Sequence, residues 1–164
     1  MKTLFLLRHA KSSWKDETLA DFERPLNRRG QRAAETMGNY FKSHGIVPEL
    51  ILCSPAVRAR ETLELVSKAA KWSAEVRYDQ RIYEASGMRL AEVVTQIEND
   101  RNVAMLVGHN PGMEELLFLL TSERVEVPTG TFAKIAVKST KWVHAADKQA
   151  TLESLVKPRE LEGD

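Results

Sequence analysis

The feature that most constrains the fold is an alternation. Three short apolar runs, Thr3–Leu7, Leu50–Cys53 and Val103–Val107, are separated by segments with helical periodicity. Runs this short and this uniformly apolar read as strands buried on both faces, the pattern of a parallel sheet. Between and after them, apolar residues fall on helical stripes. Ala33, Ala34, Met37, Tyr40 and Phe41 form the first, with Gly45 placed to close the helix. Ala59, Leu63, Val66 and Ala70 form a second; Leu90, Val93, Val94 and Ile97 a third; Met113, Leu116, Leu117 and Leu120 a fourth. After turn residues at Pro128–Gly130, "FAKIAVK" alternates apolar and polar as a strand with one wet face, and Thr151–Lys157 reads as a last strand near an edge. Strands alternating with amphipathic helices bury a sheet between two helical layers. The expectation is an α/β protein, a three-layer α/β/α sandwich with a mostly parallel central sheet. At 164 residues, the chain is expected to form a single domain spanning residues 1–164.

Each apolar run gives way to polar residues. The first ends in Arg8-His9, the second in "CSPAVRAR", and the third in "VGHNPG", where His109 precedes a helix that Pro111 is suited to open. If the three strands lie parallel, their C-terminal ends share one edge of the sheet, where α/β proteins place ligands. Arg8, His9, Arg58 and His109 then converge, although a hundred residues separate the first from the last.

Composition narrows the chemistry. The formal net charge is +1, and no basic patch is interleaved with aromatics, so a nucleic-acid partner is not expected. No segment approaches the length of a membrane span, and the apolar run at the start is too short for a signal peptide, so the expected setting is the cytoplasm, away from a membrane. One cysteine, Cys53, rules out an internal disulfide and fits a reducing compartment. The charge is uneven: residues 1–60 hold 11 Lys/Arg against 6 Asp/Glu, leaving +5, and the remainder is −4. A local anion site built from the first third is one reading, and a solvated helix face is the other.

Two arginines and two histidines on one edge suit a phosphoryl group. Guanidinium forks match its charged oxygens, and a helix N-terminus adds backbone donors. A neutral imidazole is a competent nucleophile near pH 7, and a second, protonated histidine can balance charge on the transferring group. Rival phosphatase chemistries fit poorly. A cysteine phosphatase needs five residues between cysteine and arginine, whereas Cys53 has four before Arg58 and six before Arg60. No metal-ligand spacing and no Gly-x-x-x-x-Gly-Lys-Ser/Thr motif occurs, so neither a metal nor another cofactor is expected.

Five stretches, "LLRHAKS" (6–12), "RPLNRRG" (24–30), "SPAVRARET" (54–62), "VGHNPG" (107–112) and "PTGTFAKIAV" (128–137), occur in an order that resembles the histidine phosphatase superfamily, which includes the phosphoglycerate mutases, and within it the short SixA-type phosphohistidine phosphatases. The resemblance implies a phosphoglycerate mutase-like fold, His9 as the phosphorylated nucleophile, Arg8 and Arg58 as phosphate ligands and His109 as the second pocket histidine. Ala10 stands where the family motif has glycine. Lys11, Ser12, Ser13 and Arg24, in the long loop after the first strand, are candidates for the pocket rim or for plain exposure. Glu84 in "RIYEAS" is a loose match to the proton-donor glutamate of mutase-like members. The implied substrate is a histidine-phosphorylated protein, with small phosphoesters as the alternative. A phosphate-binding interaction domain with little turnover is a third reading.

Overall fold

The structure is a computed structural model, described over residues 1–147 and 149–162. Strands β1 (Lys2–Arg8), β2 (Leu50–Cys53), β3 (Glu75–Tyr78), β4 (Val103–Gly108), β5 (Phe132–Val137) and β6 (Thr151–Val156) form one sheet in the order β3-β2-β4-β1-β5-β6. The first four run parallel, while β5 and β6 add antiparallel neighbours on the β1 side. Helices α1 (Arg28–Ser43), α2 (Val57–Ala70), α3 (Gly87–Thr95), α4 (Gly112–Thr121) and the short α5 (Pro158–Leu161) cover it. The three-layer, mostly parallel α/β architecture expected from the alternation of runs is the one observed.

The period of two in a strand sorts its side chains between the layers. Phe5, Leu7, Ile51, Cys53, Met105 and Val107 pack with Phe41 of α1 and Leu63 and Val66 of α2 on one face. Leu4, Leu6, Leu50, Leu52, Ala104 and Leu106 pack with α3 and α4 on the other. Both faces are therefore apolar in β1, β2 and β4, which explains their unbroken apolar sequences. The register then brings their ends level. Arg8 lies opposite Gly108 and Cys53 opposite Val107, so residues 8–9, 54 and 109 leave the sheet along one edge.

The loop after β1 returns to α1 through a close backbone approach. Asn27 caps α1 by accepting from the Gly30 amide at 2.8 Å, while its own amide donates to the Lys11 carbonyl at 3.0 Å. A Cβ at Gly30 would lie 2.1 Å from that carbonyl oxygen, so any side chain must displace either α1 or the segment two residues beyond His9. Gly30→Ala is expected to cost about 1–3 kcal/mol of stability through overpacking, read as a lowered urea midpoint, and to lower turnover along with it. An unchanged midpoint would show that the loop is not held by this contact.

Two details depart from the sequence reading. The edge strand β3 has no apolar run, since its side chains are mostly exposed and its backbone pairing with β2 alone makes it a strand. Pro111 stands at the N-cap of α4, one position outside the helix it was expected to open, and the first helical residue is Gly112.

Candidate active site

The main chain at Arg8 and His9 is pinned from both sides. The Arg8 amide donates to Thr131 O at 3.0 Å and the His9 amide to Gly108 O at 3.0 Å, while the Gly130 amide reaches the carbonyls of Arg8 (3.1 Å) and His9 (2.9 Å). Gly130 does so with φ +75°, a left-handed conformation that glycine adopts without strain. The turn read at Pro128–Gly130 thus serves as a brace for the end of β1.

His9 is 6% exposed. Its Nδ1 lies 2.7 Å from the Ala10 carbonyl oxygen, which can only accept, so Nδ1 carries the proton and Nε2 presents its lone pair. Burial first, and then His109, Arg58 and Arg8, push its pKa down to about 3, against the upward pull of the Ala10 carbonyl. The ring is therefore neutral at pH 7, as a nitrogen nucleophile must be. The Ala10 methyl that replaces the family's glycine is buried in the α1–α2 layer, and the Ala10 amide donates to Thr62 Oγ1 at 2.9 Å. Thr62 in turn donates to the Arg58 carbonyl at 2.7 Å, which ties the His9 loop to α2.

His109 lies beside His9, with ring centroids 5.1 Å apart. Its Nε2 is 2.7 Å from Ser54 Oγ. That hydroxyl also accepts from the Ala56 amide at 3.2 Å and has its hydrogen free to turn to Nε2, the arrangement that puts the ring proton on Nδ1. The expectation of a protonated second histidine is corrected here. Burial first, and then Arg58, lower the His109 pKa to about 4 despite the opposing charge of Asp21, so the ring is neutral in the free protein. A phosphoryl dianion placed beside it reverses the local field and raises that pKa. Titrating the His109 ring by NMR with and without tungstate should show a rise of about one unit or more on binding, because a nearby opposite charge shifts a pKa by about 1–3 units. An unmoved pKa with tungstate bound would place the anion elsewhere.

The two arginines are anchored differently. Arg8 Nη1 donates to the Val127 carbonyl at 2.9 Å. Arg58 donates from Nη1 to Asp21 O at 2.8 Å and from Nη2 to Asp21 Oδ2 at 3.0 Å. In both, Nε is buried and has no partner. Five buried side-chain nitrogens and oxygens lack a hydrogen bond among the described residues: Arg8 Nε, Arg58 Nε, His109 Nδ1, Asn110 Oδ1 and Thr131 Oγ1. All belong to this edge or adjoin it, and three are N–H donors on the residues picked out from the sequence. Folded proteins rarely leave buried donors unpaired, and three together beside a lone-pair nitrogen fit the oxygens of a phosphoryl group.

Of the rim candidates, Arg24 is drawn in rather than exposed. It is 7% exposed, donates from Nε to Asp21 Oδ1 at 3.2 Å and from Nη1 to Ser12 Oγ at 2.9 Å, and stacks 3.5 Å from the Trp14 ring. Ser12 and Ser13 are half-buried beside it and Lys11 is exposed. Glu84 is exposed, on a cleft it shares with Tyr83. Cys53 is fully buried with its thiol pKa pushed up by desolvation, an inert state for sulfur.

Sequence reasoning missed Asp21, Tyr83 and Ser54. Tyr83 donates its hydroxyl to Asp21 Oδ2 at 2.6 Å and sets its ring edge-on to His109 at 5.6 Å. That hydrogen bond, followed by those of Arg58 and Arg24, pushes the Asp21 pKa down to about 2. Ser54 opens the "SPAVRARET" stretch, but nothing in those residues shows that its hydroxyl meets a histidine 55 positions away.

The family model for the histidine phosphatase superfamily (branch 1) matches residues 4–110, a span holding Arg8, His9, Arg58 and His109. The chain belongs to that superfamily. An uncharacterized chloroplastic protein of Arabidopsis thaliana is 31% identical over 153 residues, covering 88% of this chain and 70% of the relative. Among solved structures, a candidate phosphohistidine phosphatase SixA from Nakamurella multipartitia superposes with a TM-score of 0.85 at 26% identity, covering 96% of each chain. Its counterpart from Agrobacterium tumefaciens gives 0.81 at 28% identity, over 96% of this chain and 98% of that one. No helix among the described residues is long and apolar enough to cross a membrane.

Proposed function

We propose that this superfamily member is a protein phosphohistidine phosphatase that works through a phosphoryl-His9 intermediate. The observation that carries the substrate class is the state of the site's carboxylate. Asp21, hydrogen-bonded by Tyr83, Arg58 and Arg24, is held ionised and has no proton to give. A poor alkoxide leaving group depends on a general acid, worth roughly 10²–10⁴-fold, whereas imidazole protonated on its outer nitrogen departs as a neutral ring with a conjugate-acid pKa near 6.5. A site whose arginine-bound carboxylate carries no proton suits the second substrate. The similarity to proteins carrying the SixA name supports the same reading.

The steps are set by the atoms present. Arg8 Nε, Arg58 Nε and His109 Nδ1 hold the phosphoryl oxygens. His9 Nε2 attacks phosphorus as the bond to the leaving nitrogen breaks, and the electron pair departs with that nitrogen. Phosphoryl-His9 keeps its Nδ1 proton on the Ala10 carbonyl, which stabilises the cationic ring. Water then attacks phosphorus, and the bond to Nε2 breaks with its electrons returning to His9. The water's proton passes to the released phosphate. Every charge in this scheme is balanced by arginine or imidazole, so turnover is expected to persist in a chelator.

The test is a comparison of kcat/KM for a phosphohistidine protein, a phosphoserine protein and a panel of small phosphate metabolites. The phosphohistidine protein should lead, and Glu84→Gln should change its rate little. A small metabolite that wins by orders of magnitude, or loss of phosphohistidine turnover in Glu84→Gln, would favour a metabolic phosphatase. Binding of phosphohistidine protein with no release, from it or from p-nitrophenyl phosphate, would favour an interaction domain.

A further inference from the structure

We propose that Asp21 selects the leaving group: its carboxylate accepts a hydrogen bond from the outer ring nitrogen of phosphohistidine, the one not bonded to phosphorus, and so favours imidazole over an oxygen leaving group. The inference rests on the phosphohistidine reading above and adds a residue that reads the substrate beyond its phosphoryl group.

Three separate segments meet at this carboxylate: the loop after β1, which bears Asp21 and Arg24; α2, which bears Arg58; and the connection after β3, which bears Tyr83. Oδ2 accepts from both Tyr83 (2.6 Å) and Arg58 (3.0 Å), while among the described residues Oδ1 accepts only from Arg24, at 3.2 Å. A carboxylate oxygen has room for two donors, so Oδ1 retains capacity for one more. The side chain is 47% exposed, whereas that of Arg58 beside it is 8% exposed, which puts the carboxylate at the mouth of the site and the guanidinium within. Arg58 has its Nη2 on Asp21 and its buried Nε without a partner, free for a phosphoryl oxygen. With Nε on a phosphoryl oxygen, Arg58 would stand between the phosphoryl group and Asp21. An imidazole is of similar breadth to a guanidinium. A ring bonded to phosphorus and lying alongside Arg58 would bring its outer nitrogen toward Oδ1, the oxygen with capacity to spare.

The chemistry needs such an acceptor. Phosphohistidine's outer nitrogen takes its proton from solvent, giving a cationic ring whose N–H makes a charge-assisted bond to Asp21. When the phosphorus–nitrogen bond breaks, its electron pair goes to the inner nitrogen, and neutral imidazole leaves with its outer N–H still on the carboxylate. Ala10 O performs the same service for the Nδ1 proton of His9, so the phosphoryl group passes between two imidazoles, each steadied at its outer nitrogen. A serine phosphate has no N–H at that distance, and its dianion meets a carboxylate with nothing to offer it.

The test compares kcat/KM for N-phosphoimidazole with that for p-nitrophenyl phosphate, whose leaving group departs as an anion without a proton. Asp21→Asn should lower both by loosening the hold on Arg58, yet lower the N-phosphoimidazole to p-nitrophenyl phosphate ratio a further tenfold, on the order expected for loss of one charge-assisted hydrogen bond. Asp21→Glu keeps the charge and should retain most of the ratio. Equal falls on both substrates in Asp21→Asn, or a ratio lost equally in Asn and Glu variants, would overturn the proposal and leave Asp21 as an anchor for Arg58. Failure of the phosphohistidine reading looks different: wild type would then show no preference for the phosphorus–nitrogen bond at all.

Discussion

Replacing His9 by alanine is expected to lower kcat by about 10⁴-fold or more, the range seen when a covalent nucleophile is removed. The size of the effect comes from the geometry. His9 Nε2 is a free lone-pair nitrogen on a ring that lies 5.1 Å from that of His109 and feels the charges of Arg58 and Arg8. Ser54 is a poor substitute, since it is fully buried and a phosphoryl group on its hydroxyl would displace the bonds to His109 Nε2 and the Ala56 amide. Cys53 is no better, since burial keeps its thiol protonated. The variant should still bind tungstate, because Arg8, Arg58 and His109 remain. Turnover within tenfold of wild type would remove His9 as the nucleophile.

Arg58→Ala is the second large effect, with an expected fall in kcat of about 10²–10³-fold, as for removal of one preorganised donor to a developing charge. The guanidinium has two tasks in the proposed mechanism: its two Nη groups hold Asp21, and its buried, unpartnered Nε is left for a phosphoryl oxygen. Truncation frees the loop carrying Asp21 and Arg24 as well as removing a charge, so KM should rise too. Lysine is not expected to rescue it, because an ammonium is a single point of charge and cannot serve both directions. Recovery of wild-type kcat in Arg58→Lys would show that charge alone was required.

The sequence makes legible whatever burial imposes on composition. β1, β2 and β4 are apolar on both faces because helices cover both sides, and the residues after them stand out as the first polar groups at the end of an apolar run. Their parallel order then brings Arg8, His9, Arg58 and His109 to one edge without further information. β3 left no such trace, because an exposed edge strand is made by backbone pairing rather than by side-chain burial. Asp21 and Tyr83 left none either. Their meeting is decided by how two loops close over α2, and loops carry no period from which 62 residues of separation can be seen to vanish. The Ser54–His109 contact fails to show for the same reason, as does the burial of Arg24, which needs Trp14, Ser12 and Asp21 all in place. The neutral His109 is a collective effect: one cation on an edge predicts little, but burial among Arg8, Arg24 and Arg58 disfavours a further positive charge.

The central claim is that phosphoryl passes from a protein histidine to His9 before it reaches water. It is tested most directly by mixing the protein with excess phosphohistidine protein, quenching in alkali within the first turnovers, and locating the phosphoryl group by mass spectrometry. An acid-labile phosphoryl group is expected on His9, forming and decaying at the rate of turnover and absent in His9→Ala. Phosphate release with no phosphoryl group on His9, or one found on Ser54 or Cys53 instead, would contradict it.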